Sequence, residues 1–249
     1  MANWSDPRPT ASAFGASVPG TRGTAYDAGL RKYMLSVYNY MASGVLLTGI
    51  VALLFASGGR EGSLAAQIFM APGILKYIIM FSPLAFVMVL SFGINRLSTG
   101  AAQAIFWTFA AVMGMSMSTI FLVYTGASIA TTFFATAVAF LSLSIYGYTT
   151  KRNLQAFGTF LIMGVVGLIV AMLLNLWVQS TALQMGISAI GVLLFAGLTA
   201  YDTQRIKLMY EHVAGTDMMG KAVIMGALSL YLDFINMFQF LLSFLGSRE

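Results

Sequence analysis

The stretch Lys221-Ala222-Val223-Ile224-Met225-Gly226-Ala227-Leu228-Ser229-Leu230-Tyr231-Leu232-Asp233-Phe234-Ile235-Asn236-Met237-Phe238-Gln239-Phe240-Leu241-Leu242-Ser243-Phe244-Leu245 decides the fold. It is long enough to cross a bilayer as an α-helix, which takes about 20 residues. Its small and polar residues, Gly226, Ser229, Asp233, Asn236, Gln239 and Ser243, recur every three or four positions and so share one helical face. Such a face avoids lipid. The segment therefore reads as a central or pore-lining helix that others surround.

The surrounding helices are present upstream. Six apolar runs reach spanning length: roughly 33–55, 75–94, 103–124, 129–148, 157–176 and 183–201. With 59% apolar and 8% charged side chains, the chain is an all-α membrane protein of seven transmembrane helices, six around a central C-terminal one. Residues 1–29 hold Pro7, Pro9 and Pro19 among Gly, Ser and Thr without an apolar run, and are expected to form a disordered cytoplasmic tail, leaving 30–249 as the membrane domain. No cysteine and a single His212 exclude disulfides, zinc and iron–sulfur sites. The net charge of +5 is spread singly between apolar runs, which argues against nucleic-acid binding and for orientation in the bilayer.

Orientation follows from those charges. With the N-terminus in the cytoplasm, ten of the thirteen Lys and Arg fall on inner segments, and only Arg60, Lys76 and Arg248 fall outside. This predicts an N-in, C-out topology. A re-entrant seventh segment would instead return the C-terminus to the cytoplasm.

The sequence has eight acidic residues, and six lie in tails or loops. Asp202 and Asp233 remain, one on each of the last two helices. An ionisable group near the bilayer centre costs roughly 2.5–3.5 kcal/mol, so the two form a candidate functional site. Hydropathy puts Asp202 near the cytoplasmic end of the sixth helix and Arg96 at the cytoplasmic end of the second, so an ion pair between them is permitted. Asp233 is expected roughly 10–20 Å deeper at 1.5 Å per residue. Against these stand plainer readings: Asp202 as an interfacial residue bonded to Thr199 or Thr203 and paired with Arg205, and Arg96 as a topological anchor. Gly164 with Gly167 reads as a close helix approach.

The motif Ala200-Tyr201-Asp202-Thr203-Gln204-Arg205-Ile206, followed by Tyr231-Leu232-Asp233-Phe234-Ile235-Asn236-Met237-Phe238, resembles the paired signature of the Bax inhibitor-1 family. Ser82-Pro83-Leu84 to Ile94-Asn95-Arg96, and Tyr148-Thr149-Thr150-Lys151-Arg152-Asn153-Leu154, agree with it. The resemblance covers about residues 30–245. It implies a pH-sensitive calcium leak channel of the bacterial inner membrane, with Asp202 and Asp233 as proton sensor and transient calcium ligands and Arg96 as latch. Calcium would be the permeant ion and not a cofactor. Two features depart from the family pattern: Asn153 stands where an Asp is usual, and nothing acidic lies between Lys76 and Arg96. Both imply weaker calcium binding.

Two nearby carboxylates in a poorly hydrated site cannot both ionise freely, so they share a proton. Calcium takes six to eight oxygen ligands. Ser229, Asn236, backbone carbonyls and water would complete the shell, which suits transit better than storage. The chain is not read as an enzyme. An intramembrane aspartyl protease would have Gly-x-Gly-Asp where this chain has Leu230-Tyr231-Leu232-Asp233, and a rhomboid-type protease needs a membrane histidine. The alternative is a non-catalytic membrane protein that binds and modulates a membrane-anchored AAA protease.

Overall fold

The computed structural model describes residues 19–247 and folds as a bundle of helices. They are α1 Pro19–Ala56, α2 Gly59–Gly62, α3 Leu64–Phe69, α4 Leu75–Gly93, α5 Thr99–Met117, α6 Ile120–Val123, α7 Gly126–Thr149, α8 Gln155–Val178, α9 Thr181–Val213 and α10 Met219–Leu245. Seven stretches are long and apolar enough to cross a membrane: Tyr26–Ala56, Leu75–Gly93, Thr99–Val123, Gly126–Thr149, Gln155–Val178, Thr181–Val213 and Met219–Leu245. Each contains one of the apolar runs of the sequence, give or take a terminal residue.

Residues 1–18, with Arg8, and the terminal Arg248 and Glu249 lie outside the described residues. The remainder of the expected tail differs from the sequence reading, because α1 begins at Pro19. Tertiary packing explains the extension. The Tyr26 and Tyr33 rings sit 5.3 Å and 5.4 Å from that of Tyr210 on α9, and Leu30 is buried between the two tyrosines in sequence.

Tight connections set the antiparallel order. Ser98, Thr125 and Ser180 each accept a hydrogen bond from the backbone amide three residues on, at Ala101, Ser128 and Leu183. Each hydroxyl satisfies an amide that a helix start leaves unpaired, so a new helix begins within a few residues of the previous one.

α10 occupies the middle. It packs against α9, α1, α7 and α5, whereas α4 leans chiefly on α5, and α8 on α9. The six outer helices therefore enclose α10 unequally, with four against it and two further out. No residue of α10 from Ala222 to Ser243 is exposed, so the polar stripe at 226, 229, 233, 236, 239 and 243 is kept from lipid as its spacing predicts.

The helix ends sort into two sets. At one end Lys221 donates to the Asn95 carbonyl, Lys207 to that of Tyr148, and Gln204 to that of Arg152. At the other, Arg60 donates to the Leu122 carbonyl, the Thr125 amide donates to the Ser247 carbonyl, and the Ser247 amide donates to the Ser128 hydroxyl. α10 joins these ends without a break over about 40 Å. A re-entrant course for this segment is thereby replaced by a full crossing. Reporter fusions at Arg152 and Glu249 are expected to give signals on opposite sides, cytoplasmic at Arg152; the same side for both would refute the topology.

Candidate functional site: a cytoplasmic cavity beneath a carboxylate pair

α9 runs on to Val213, three turns past the end of its apolar run, because its last turns pack against α1 and α10 rather than lipid. That shift places the two aspartates. Asp202 lies eleven residues before the inner end of α9 and Asp233 fourteen after the inner end of α10. The helices are registered by contacts on either side of the pair. Ser188 bonds Ser243 at 3.2 Å outward of it, and Gly226 packs on Ile206 inward of it. Both contacts put Asp233 only about 5 Å, one helical turn, outward of Asp202. The 10–20 Å offset expected from hydropathy is corrected, since hydropathy sees where α9 leaves the apolar layer and not where it ends. The two charges lie within electrostatic range of each other.

A cavity of about 480 Å³ opens between α4, α9 and α10 on the cytoplasmic half. Asp202 and Ser229 line it, Ser91 contributes from α4 and Ile94 from the turn after it, and Arg205 and Lys221 bring positive charge. Asp233 follows Ser229 by one turn. It is 4% exposed, and its Oδ2 has no hydrogen-bond partner. Buried polar atoms are nearly always paired, because an unsatisfied one costs about 1–3 kcal/mol. Asn236, a turn further on, donates its amide to the Leu232 carbonyl at 2.8 Å, which leaves its side-chain oxygen as an acceptor. The stripe then ends at Ser243, which Gln184 and Ser188 reach from α9.

The polar partners foreseen for Asp202 are otherwise engaged. Thr199 bonds the Phe195 carbonyl at 2.8 Å, and Thr203 pairs with Ser144 at 2.9 Å. Its cation is Arg205, whose charge acts on it from the next turn of α9. Arg96 stands apart. It follows the end of α4 in a turn, its side chain is exposed, and among the described residues no ion pair joins it to Asp202. Sharing a membrane side is not the same as sharing a site, and an arginine on a hydrated turn keeps its water.

Sequence reading also passed over the hydroxyl contacts that hold the site. Tyr38 pairs with Ser144, and Thr48 bonds both Tyr231 at 2.6 Å and the Ala110 carbonyl at 2.8 Å. Single hydroxyls inside apolar runs signal a partner somewhere, but not which one. Of the paired glycines, Gly164 does meet Leu194, while Gly167 has open space. Among the described residues no three His, Cys, Asp or Glu gather, so the pair supplies only part of a cation shell.

Seven membrane-crossing helices around a polar-striped core, with an acidic pair beneath a cytoplasmic cavity, define a multi-pass membrane protein. The family described as inhibitor of apoptosis-promoting Bax1 matches residues 30–249, and the chain belongs to this family. It is 45% identical to protein RP147 of Rickettsia prowazekii, over 92% of this chain and 95% of that one. It is 44% identical to a protein of Caulobacter vibrioides, over 95% and 97%. It is also 44% identical to the inner membrane protein YbhL of Escherichia coli, over 89% and 94%. The chain is a multi-pass protein of the inner membrane.

Proposed function

We propose that the bundle conducts a proton-regulated leak of cations, calcium in particular, along the polar stripe of α10. The observation that carries this reading is Asp233, a carboxylate in the middle of a spanning helix, unsatisfied at Oδ2 and one turn beyond the floor of a cytoplasmic cavity. Buried polar atoms that serve only the fold are nearly always hydrogen-bonded, and an ion path needs a lone pair left free to accept a proton or a cation. Calcium is the passing substrate, held briefly by Asp202, Asp233, Ser229 and Asn236 with water.

On this reading the Arg205 charge acts on Asp202 from the next turn of α9 and favours the closed state. Acidification protonates Asp202 and releases that cation, so the leak rises as pH falls. Arg96 serves as the latch in a second conformation, in which the turn after α4 approaches α9. Calcium flux into proteoliposomes, measured at neutral and mildly acidic pH, tests both arginines. Arg205→Ala is expected to raise the neutral-pH leak several-fold and flatten its pH dependence, with Arg205→Lys intermediate because a lysine lacks the guanidinium fork. Arg96→Ala raises the leak only if the second conformation is populated; wild-type flux in that variant reduces Arg96 to an anchor. No flux from the wild type at any pH would overturn the leak and leave the alternative, a non-catalytic partner of a membrane AAA protease.

A further inference from the structure

α1 and α7 both pack on α10 and touch one another through the Tyr38–Ser144 hydrogen bond, and the cleft between them faces the membrane. Two cavities of about 570 Å³ each fill this cleft and meet at Tyr38 and Leu141. The inner one is bordered by Asp27 and Arg31, one turn apart on α1, and by Ser144 and Tyr148 on α7. The outer one is walled by apolar side chains, with Phe234 of α10 among them and Gly49 leaving room. It is an amphipathic groove, polar at the cytoplasmic surface and apolar within.

We infer that this groove is a binding site for one phospholipid of the cytoplasmic leaflet, with a zwitterionic phosphoethanolamine headgroup. The headgroup chemistry follows from the charges at the mouth. Asp27 and Arg31 are both exposed, and among the described residues neither is ion-paired, with the other or with a third group. The other polar groups nearby are occupied: Tyr38 with Ser144, and Lys207 with the Tyr148 carbonyl and ring. A cation and an anion one turn apart complement a phosphate and an ammonium. A purely anionic headgroup would leave Asp27 opposed.

The outer cavity extends along α1 from Tyr38 to Leu53, about 22 Å, enough to take an acyl chain of one leaflet, whose hydrocarbon layer is about 15 Å deep. The chain itself gains little by leaving bulk lipid, whose tails are as apolar as the groove. Selectivity therefore rests on the headgroup.

The test uses the full-length protein in detergent, titrated with phosphatidylethanolamine or phosphatidylglycerol of equal chain length and observed by native mass spectrometry. Wild type is expected to retain one ethanolamine lipid in preference to glycerol lipid. Arg31→Ala lowers its occupancy about fivefold, and Asp27→Asn removes the preference between headgroups. Gly49→Leu fills the outer cavity, where an added Cβ meets nothing, and displaces the lipid without disturbing helix packing. Equal retention of both lipids by wild type, or unchanged retention in Gly49→Leu, overturns the site and leaves only annular lipid. A dimer that Gly49→Leu dissociates would mean that a second copy occupies the cleft, and also overturns it.

Discussion

Asp233→Asn is expected to lower calcium flux at least tenfold while leaving the protein as stable as wild type, or more so. The two effects have opposite signs for one reason. An uncompensated carboxylate at mid-membrane costs roughly 2.5–3.5 kcal/mol, and nothing bonded to Oδ2 is lost when that oxygen becomes an amide. For a passing cation the same change removes a charged ligand from a site screened from water, where opposite charges attract most strongly. Asp202→Asn acts on the other member and mimics its protonated form, so the neutral-pH leak approaches that of acid. Because the two groups interact, the double variant is expected to depart from the sum of the single effects. Thermal unfolding in detergent and flux in proteoliposomes, measured on the same preparation, check the pair of signs. A destabilised Asp233→Asn with undiminished flux would make Asp233 a structural residue and refute the proposed path.

Gly147→Val is expected to remove most of the folded protein. A Cβ at Gly147 would lie 2.2 Å from the carbonyl oxygen of Ala200, so the side chain would meet backbone and not a movable neighbour. Overpacking of ordinary cores costs about 1–3 kcal/mol, and a contact this short forces α7 and α9 apart. The displacement falls two residues from Asp202. Gly158 plays the same part on the other flank, where its Cβ would lie 2.2 Å from Tyr201. Gly147→Ala should already reduce the yield of monodisperse protein on size exclusion, and Gly147→Val should nearly abolish it. Gly167→Val, facing open space on α8, serves as the control and is expected to behave as wild type. Normal yield of Gly147→Val would mean that α7 and α9 are not closely apposed there.

The polar stripe of α10 was legible because two independent constraints agree on it, the three-to-four spacing and the refusal of lipid to solvate Ser229, Asp233 and Asn236. The number of spans was legible from length and hydropathy. Helix ends were not. Thr181–Val213 outruns its apolar portion because Ile206 and Tyr210 are buried against protein, and a hydropathy window cannot tell a protein neighbour from a lipid one. The depth of Asp202 relative to Asp233 was lost with that end. Arg96 and Arg205 were both visible as cations on the right side of the membrane. Only the fold separates the one beside the cavity from the one on the hydrated turn. Gly164 and Gly167 illustrate the same limit, since spacing marks a small-residue face but not which of its members meets a neighbour.

The central position of α10 has a consequence for biosynthesis. Four of the outer helices rest on a segment that the ribosome makes after all of them. Until α10 enters the membrane, the faces of α1, α5, α7 and α9 that meet it have no partner, and Thr48 keeps its bond to the Ala110 carbonyl but lacks the Tyr231 hydroxyl. The earlier helices can already pair, α1 with α5 and α7 with α9, but the two pairs are joined chiefly when α10 arrives. A chain that stalls before Met219 would leave the faces that meet α10 uncovered, which distinguishes an unfinished molecule from a complete one.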